Sequence, residues 1–196
     1  MLSIKASIIH IIGLGGAGKS TVGELLAKNL AISFLDLDQY FLQKQGHIQS
    51  FITKHNYIAY AQENVRNYQE IIATKNEPMV VSLSSGFMTY PSEMQLNYKK
   101  IVSHIENHPL TILLLPSFEI AECVDIIVSR QLNRPYLLTD KVTEEIKARN
   151  RFPLLMSLKC RRFQSNIHPY VLAEQLTQFV MANPSFQSKH AKTIEL

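Results

Sequence analysis

The sequence predicts an α/β fold of three layers, α/β/α, in which a central parallel sheet lies between helices. Strand-like and helix-like segments alternate along the 196 residues, which is the pattern of a parallel sheet covered on both faces. The first strand-like segment leads through a glycine-rich turn into a helical pattern. A hydrophobic content of 46% suits one globular domain with a substantial core.

Three strands and two helices are predicted in the first half of the chain. Ser7 to Ile12 is an apolar, β-prone run apart from His10. Ile32 to Leu37 and Met79 to Leu83 read as the second and third strands. Apolar or aromatic residues recur at helical spacing after the glycine-rich turn and again within Ile58 to Thr74: Val22, Leu25, Leu26 and Leu30, then Ile58, Ala61, Val65, Tyr68 and Ile72.

Prolines indicate where several elements of the second half end. A helix predicted over Glu93 to Glu106 ends before Pro109, and the strand Thr111 to Leu115 ends at Pro116. We expect Ser117 to cap the helix that follows.

The last third of the chain predicts two more helices. One begins near Lys141 and contains Pro153, which should end or kink it. The other begins at His168-Pro169 and carries apolar residues at helical spacing: Val171, Leu172, Leu176 and Phe179. We expect residues 1–182 to form a single domain and residues 183–196 to form a flexible C-terminal tail.

Four of the seven glycines lie within six consecutive positions, directly before a lysine, a serine and a threonine. The string G-x-x-x-x-G-K-S between a strand and a helix is the P-loop, in which glycines let backbone N–H groups surround a polyphosphate. The N-terminus of the helix adds the positive end of its dipole. We expect Lys19 to reach the β- and γ-phosphates and Ser20 to ligate Mg²⁺. The predicted nucleotide-binding residues of this motif are Gly13, Gly15, Gly16, Ala17, Gly18, Lys19, Ser20 and Thr21.

The same glycines also match the dinucleotide fingerprint G-x-G-x-x-G. Gly13, Gly15 and Gly18 supply its three glycines, and Asp36 lies near its expected acidic position. A dinucleotide site needs no lysine–hydroxyl pair after the third glycine. The sequence therefore favours the P-loop.

The second predicted strand ends in two carboxylates, two residues apart, in the segment Phe34-Leu35-Asp36-Leu37-Asp38-Gln39. Residues i and i+2 of a strand share a face, and ligands of open α/β sheets bind beyond the carboxyl ends of the strands. We therefore expect Asp36 and Asp38 to point toward the P-loop. One would serve Mg²⁺ and the other would accept the proton of an attacking hydroxyl. The alternative is that Asp38 only caps a helix that begins at Gln39.

Charge and cysteine usage narrow the class of partner. A formal net charge of +4 favours anionic partners. The basic residues are dispersed, without a stripe of aromatic and basic side chains, so we expect a small anionic substrate and no nucleic acid. Cys123 and Cys160 are far apart and form no CxxC motif, which predicts reduced thiols in the cytoplasm. The sequence shows no signal peptide and no apolar run of transmembrane length, so no membrane partner is expected.

Together these segments resemble the shikimate kinases, which have the nucleoside-monophosphate-kinase-like P-loop fold, over most of residues 7–180. The resemblance rests on an ordered set: GLGGAGKST at Gly13 to Thr21, FLDLDQ at Phe34 to Gln39, Ser82-Leu83-Ser84-Ser85-Gly86, Asn133-Arg134-Pro135-Tyr136-Leu137, and Arg151-Phe152-Pro153-Leu154-Leu155. It implies a P-loop kinase that uses ATP and Mg²⁺ and has a mobile lid over residues 118–140.

The resemblance also implies roles for individual residues. Asp38 would contact the hydroxyl that is phosphorylated, and Asp36 would belong with Mg²⁺. Arg134 in the lid would reach the phosphates and Arg151 would bind the substrate carboxylate, since fixed guanidinium charges suit oxyanions. We expect Arg130 to bind the nucleotide as well, because a P-loop kinase needs cations that close over the γ-phosphate. The predicted catalytic residues are Lys19, Asp38 and Arg134.

Two segments depart from the family pattern where the substrate is recognised. The usual F-R-x-x-E is Ala59-Tyr60-Ala61-Gln62-Glu63 here, so Tyr60 stands where a second carboxylate-binding arginine is expected. Arg66 lies nearly two turns further along that helix. The usual triple glycine is Ser84-Ser85-Gly86. The predicted substrate-binding residues are Asp38, Tyr60, Glu63, Ser84, Ser85, Gly86 and Arg151.

The resemblance implies a monomeric, cytoplasmic kinase that converts shikimate to shikimate 3-phosphate in aromatic amino-acid biosynthesis. Two alternatives stay open. Tyr60 and the two serines favour a related kinase for a different hydroxy acid or polyol. A ligand sensor could instead have kept the fold and lost turnover, against which stand the intact Lys19, Ser20, Asp36, Asp38 and Arg134.

Overall fold

Within residues 8–74, 77–134 and 139–190, which the computed structural model describes, five strands form one parallel sheet. The strands are β1 (Ile8–Gly13), β2 (Ser33–Asp36), β3 (Met79–Ser82), β4 (Thr111–Leu115) and β5 (Arg161–Gln164). The helices are α1 (Lys19–Leu30), α2 (Leu37–Gln45), α3 (Ile48–Thr74), α4 (Tyr98–Glu106), α5 (Ile120–Leu132), α6 (Lys141–Met156), α7 (Pro169–Met181) and α8 (Pro184–His190), and a 3₁₀ turn spans Phe87–Thr89.

The sheet has the order β2-β3-β1-β4-β5, with β1 at its centre. Ile8 of β1 pairs with Met79 of β3, and His10 pairs with Thr111 of β4. All residues of β1, β3 and β4 are buried, because helices flank the sheet. The predicted three-layer fold with a central parallel sheet is confirmed. The order 2-3-1-4-5 differs from the 3-2-1-4-5 order of dinucleotide-binding sheets, so the dinucleotide interpretation is not supported.

The edge strand β5 was not predicted from the sequence. It carries Arg161 and Arg162, both exposed, and Phe163 is its one partly buried residue. An edge strand has a single neighbour and needs less apolar surface than a central strand. Its composition therefore lacks the apolar run that predicts β1 and β4.

Three predicted boundaries need correction. The helix expected from Glu93 begins only at Tyr98. Ser117 does not cap α5: its hydroxyl accepts from the backbone N–H of Glu119, which is itself the N-cap residue and makes no side-chain capping bond. Of the two effects expected of Pro153, an end of the helix is wrong, because α6 continues to Met156, and a kink stays a prediction.

The predicted lid over residues 118–140 is too long at its N-terminal end. Helix α5 occupies Ile120–Leu132 and packs against α6. It buries Cys123, Val124, Ile127 and Val128 in the core. The part of the predicted lid that remains is 133–140, of which residues 135–138 lie outside the described residues.

The predicted tail from Asn183 is also partly wrong. Residues 184–190 form α8, which packs on α7, and the Phe186 side chain is 1% exposed. A buried phenylalanine ties this segment to the core. Residues 191–196 lie outside the described part of the chain.

Helix α3 is interrupted at Asn56, whose backbone is non-helical with φ of 70° and ψ of 170°. The helix predicted over Ile58 to Thr74 is the part of α3 that follows this break. The Asn56 side chain accepts a hydrogen bond from the Ala59 N–H at 3.0 Å and so caps the second part. In the described ranges, neither α3 nor any other helix is both long and apolar enough to span a membrane.

Candidate active site

The P-loop joins β1 to α1 at the carboxyl end of the central strand. Gly13 has a φ of 147°, and a Cβ atom there would lie 2.2 Å from the Leu114 carbonyl oxygen on β4. Only glycine therefore fits at the end of β1. Gly18 has a φ of 86° and precedes α1 without a side-chain capping bond. The first N–H groups of α1 are thus left for a ligand, as in phosphate sites.

Lys19 is buried, and its Nζ donates to the Leu14 carbonyl oxygen at 2.9 Å. Burial lowers the pKa of Lys19 to about 8, against the opposing effect of Asp38 and Asp36. Arg134 and Arg151 lower this pKa further by repulsion. The five charged groups named from the sequence therefore interact with one another, and a bound polyphosphate would favour the charged form of Lys19.

Asp36 ends β2 and is the N-cap residue of α2. Its Oδ1 accepts from the backbone N–H groups of Asp38 at 2.9 Å and Gln39 at 3.2 Å. Its Oδ2 accepts from the Ser20 hydroxyl at 2.5 Å. The helix cap is therefore Asp36 and not Asp38. The expectation that both aspartates lie on one strand is wrong, because Asp38 stands in the first turn of α2.

The Asp38 carboxylate accepts hydrogen bonds from two hydroxyl groups. Ser84 donates at 2.5 Å and Tyr60 at 3.4 Å, both to Oδ1. Burial raises the pKa of Asp38 above its usual value, although the Ser84 bond and the charge of Lys19 act in the opposite direction. Burial and the neighbouring Asp38 raise the pKa of Tyr60, so its phenol stays protonated and can donate.

Asn64 is a member of this site that the sequence analysis missed. It is fully buried on α3, and its Nδ2 lies 2.7 Å from Ser84 Oγ, 2.8 Å from Tyr90 OH and 3.3 Å from Tyr60 OH. It therefore holds the two hydroxyls that contact Asp38. The signal in the sequence was an asparagine one helical turn after Tyr60, next to the apolar face of the predicted helix.

Arg151 reaches the same segment from α6. Its Nη1 donates to Ser85 Oγ at 3.3 Å and its Nη2 donates to the Tyr57 hydroxyl at 3.0 Å. A Cβ atom at Gly86 would lie 2.7 Å from the Tyr57 hydroxyl and 3.2 Å from Arg151 Nη2. The predicted residues Ser85, Gly86 and Arg151 are thus brought together, and Tyr57 joins them without having been predicted.

Glu63 is not brought to this cluster. It forms an ion pair with Arg66 and accepts from Gln45 Nε2 at 2.7 Å, which ties α3 to α2. The Arg66 side chain is 70% exposed. Arg66 is therefore not a second cation beside Arg151.

Arg130 and Arg134 flank the C-terminal end of α5. Arg130 Nη1 donates to the Gly16 carbonyl oxygen at 3.3 Å, and its Nη2 donates to the Ser165 carbonyl and to Asn166 Oδ1. It therefore connects the P-loop to the turn before α7. Arg134 acts on Lys19 electrostatically.

The oxygens of Ser20 and Asp36 fit a Mg²⁺ site. They lie 2.5 Å apart at the mouth of the P-loop. Mg²⁺ prefers oxygen ligands and is commonly held by one or two carboxylates together with substrate phosphates and water. Ser20 and Asp36 would supply two such oxygens.

Comparison with protein families finds relatives of this chain. The family model described as shikimate kinase matches residues 15–180. Shikimate kinases of Chlorobium luteolum and Sulfurihydrogenibium sp. are 35% and 34% identical over 85 and 91 residues, or 43% and 46% of this chain and 41% and 54% of those proteins. The pentafunctional AROM polypeptide of Schizosaccharomyces japonicus is 34% identical over 110 residues, 53% of this chain and 7% of that protein. The matched segments thus span about half or less of the length of these relatives.

Solved structures show the same fold. The shikimate kinase of Acinetobacter baumannii in complex with shikimate has a TM-score of 0.68 at 22% identity, covering 92% of this chain and 96% of that chain. That of Bacteroides thetaiotaomicron has a TM-score of 0.66 at 20% identity, covering 88% and 94%. The architecture is therefore that of a P-loop kinase.

Proposed function

The chain belongs to the shikimate kinase family, and from this premise we propose that it transfers the γ-phosphoryl group of ATP to a hydroxyl of shikimate. The product is shikimate 3-phosphate, an intermediate of aromatic amino-acid biosynthesis. Curated relatives named shikimate kinase support this assignment, as does a site that combines a P-loop lysine, a partly buried aspartate and an arginine.

The observation that carries the proposal is the contact of two consecutive serines with two opposite charges. Ser84 donates to Asp38, and Ser85 accepts from Arg151. A base and a cation therefore lie at neighbouring points of one segment beside the P-loop. An acceptor with both a hydroxyl and a carboxylate can contact the two at once.

Asp38 is the group that we assign to the acceptor hydroxyl. Its raised pKa makes the carboxylate a better proton acceptor than an exposed aspartate. As the hydroxyl oxygen bonds to the γ-phosphorus, its proton passes to Asp38. The bond between the γ-phosphorus and the β–γ bridging oxygen breaks, and ADP keeps the electrons of that bond. Ser84 and Tyr60 keep the carboxylate in one orientation.

Lys19 and Arg134 are the cations that we assign to the transferring phosphoryl group. Lys19 follows Gly18 at the start of α1, and Arg134 interacts with it electrostatically. Charges held in place before the reaction stabilise a charged transition state without reorganising. We assign Arg130 to nucleotide binding because it already contacts the P-loop carbonyl of Gly16.

Ser20 and Asp36 are the residues that would hold Mg²⁺. When bound, the ion neutralises negative charge on the β- and γ-phosphates. The capping bonds that Asp36 accepts from the α2 backbone fix the direction of its carboxylate.

We further propose that the protein works as a monomer in the cytoplasm. Cys123 and Cys160 are free thiols, as is usual in a reducing compartment. Light scattering of the purified protein across a concentration series tests the monomer, and a mass that rises with concentration would contradict it.

A related kinase for another hydroxy acid or polyol is the second candidate. The hydroxyls of Tyr60, Ser84 and Ser85 favour it, because they line the position where an acceptor meets Asp38 and Arg151. A sensor without turnover is a third candidate, but it has no need for a carboxylate of raised pKa beside a P-loop lysine.

The test is ADP release from Mg-ATP by the purified protein, with and without shikimate, followed by mass analysis of the product. We expect shikimate-dependent ADP release and a product heavier by one phosphoryl group. ADP release with another hydroxy acid or polyol but not with shikimate would establish the second candidate. Binding of ATP without turnover on any acceptor would indicate the sensor.

A further inference from the structure

The Tyr57 hydroxyl has no role in the site as derived so far, although it contacts the arginine of that site. It accepts a hydrogen bond from Arg151 Nη2 at 3.0 Å, and Ser85 Oγ accepts from Nη1 at 3.3 Å. Both hydroxyls are acceptors in these bonds, so each still has its own proton to donate. Within residues 8–74, 77–134 and 139–190, neither proton has an acceptor, and Arg151 has no carboxylate partner.

These donors converge on one point because Gly86 has no side chain. A Cβ atom there would lie within 2.7 Å of the Tyr57 hydroxyl and 3.2 Å of Arg151 Nη2. The Tyr57 ring is packed on one side by Tyr60 and Tyr90, each with its ring centroid 5.9 Å away. The residue remains 37% exposed. The phenol is therefore held in place by its ring and is accessible at the site.

We propose that the Tyr57 hydroxyl binds the carboxylate of the acceptor together with Arg151 and thereby determines specificity for an anionic acceptor. The inference rests on the proposed function, since it takes the acceptor to be a hydroxy acid. A carboxylate has two oxygens that accept several hydrogen bonds. The guanidinium of Arg151 supplies one positive charge, which matches the single negative charge of a carboxylate. The neutral hydroxyls of Tyr57 and Ser85 supply two further hydrogen-bond donors.

Removing only this hydroxyl separates binding from chemistry. Tyr57 touches neither Asp38 nor the P-loop, so Tyr57→Phe should raise the dissociation constant for shikimate by roughly tenfold to a hundredfold. The kcat at saturating shikimate and the KM for ATP should stay at their wild-type values. The matched control is Tyr40→Phe, which removes a phenolic hydroxyl that instead donates to Glu70 at 3.0 Å.

The experiment measures binding of shikimate and of its neutral carboxamide by calorimetry to the wild-type protein and to both variants. We expect Tyr57→Phe to lose more affinity for shikimate than for the carboxamide, because a hydrogen bond to a charged carboxylate is stronger than one to a neutral amide oxygen. Tyr40→Phe should bind both compounds normally. An equal loss for the two compounds would show that Tyr57 acts only through packing, and an unchanged affinity for shikimate would show that it has no role. Either result overturns the inference.

The binding measurement tests the role of Tyr57, and the turnover measurement tests the proposed reaction, so the two proposals can fail independently. If shikimate binds in a Tyr57-dependent way but gives no ADP release, the proposed reaction is wrong and the assignment of Tyr57 stands. If shikimate is phosphorylated and Tyr57→Phe binds it as the wild-type protein does, the reaction stands and the assignment of Tyr57 falls. A wild-type protein that does not bind shikimate overturns both.

Discussion

Asp36 and Asp38 are two residues apart, and their oxygens have different partners. Asp36 accepts from two backbone N–H groups and from the Ser20 hydroxyl, so it is held as a cap and faces the P-loop. Asp38 accepts from the hydroxyls of Ser84 and Tyr60 and has a pKa that burial raises. The surroundings of each carboxylate, and not its spacing along the chain, suit one to a metal ion and the other to a proton.

Asp38→Asn removes the proton acceptor while keeping the shape of the side chain. We expect kcat to fall by about 10²- to 10⁴-fold, the usual contribution of a general base. ATP binding should persist because the P-loop is unchanged. Single-turnover kinetics and ATP titration measure the two effects.

The matched control is Asp125→Asn, an exposed aspartate on α5, which should leave turnover unchanged. Wild-type turnover in Asp38→Asn would refute the role of Asp38 as base.

The lowered pKa of His10 predicts how the free energy of unfolding depends on pH. It is buried in β1, its Nε2 lies 2.9 Å from the Tyr68 hydroxyl, and its Nδ1 lies 3.4 Å from the Thr111 hydroxyl. Burial, and then the neighbouring His108 and His104, lower the pKa of His10 well below 6.5. The folded protein therefore keeps His10 neutral at a pH where the unfolded chain binds a proton.

The free energy of unfolding should fall as the pH drops below about 6.5, by up to about 1.4 kcal/mol per pH unit from this group, until the folded pKa is reached. Above that range His10 contributes no pH dependence. Urea unfolding between about pH 7 and 5 should give a shallower slope for His10→Gln than for the wild-type protein. His47→Gln, at an exposed position, should keep the wild-type slope, and equal slopes for all three proteins would contradict the prediction.

The interruption of α3 is the element that shapes the acceptor site. After Asn56 the helix restarts, and its first two turns carry Tyr57, Tyr60 and Asn64 toward Asp38 and Arg151. The break also separates the N-terminal part of α3, whose Phe51 ring packs on Phe41 of α2. Because of this one break in its backbone, α3 packs on α2 with its first part and supplies side chains to the site with its second part.

Substitutions of Asn56 separate its two contributions to the break. Asn56→Ala loses the capping bond to Ala59 and keeps a β-carbon at a φ of 70°, so we expect it to lower the free energy of unfolding by about 0.5–2 kcal/mol. Asn56→Gly loses the same bond but suits a backbone region that is essentially restricted to glycine. Its loss should be at most a few tenths of a kcal/mol. Urea unfolding compares the two variants, and equal losses would show that the backbone conformation carries no strain.

Across the whole molecule, the site depends on elements from both ends of the chain. Lys19 begins α1 after the P-loop, Asp36 ends β2 and Ser84 follows β3, while Arg151 comes from α6. Helix α1 behind the P-loop packs on α7, and α7 packs on α8. Helix α8 therefore supports the P-loop through two helices, α7 and α1.

Phe186→Ala tests this support from the C-terminus. Phe186 is 1% exposed, so the substitution should lower the free energy of unfolding by about 3–5 kcal/mol, as in other cores. Met181→Ala, at a residue that is 51% exposed, should change it by less than about 0.5 kcal/mol. Urea unfolding measures both. A Phe186→Ala protein as stable as the wild-type protein would mean that α8 is dispensable.

Most of the fold could be predicted because its signals are local. The central strands β1, β3 and β4 are continuous apolar runs, and most predicted helices carry one apolar face. Strand β5 and helix α8 could not be predicted, since Arg161–Gln164 and Pro184–His190 show neither pattern. Strand β5 is held by pairing with β4 at the edge of the sheet, and α8 is held by the buried side chain of Phe186.

Taken alone, the sequence specifies the P-loop, the parallel sheet and the resemblance to the shikimate kinases, which the family match confirms. These features depend on residues that are close together in the chain, so their spacing is sufficient. Only the folded molecule shows that Asp36 and not Asp38 is the cap, that Glu63 pairs with Arg66, and that Asn64 and Tyr57 belong to the site. Those contacts join residues as far apart as Tyr57 and Arg151, and side-chain burial and hydrogen-bond geometry exist only once the sheet and helices have packed.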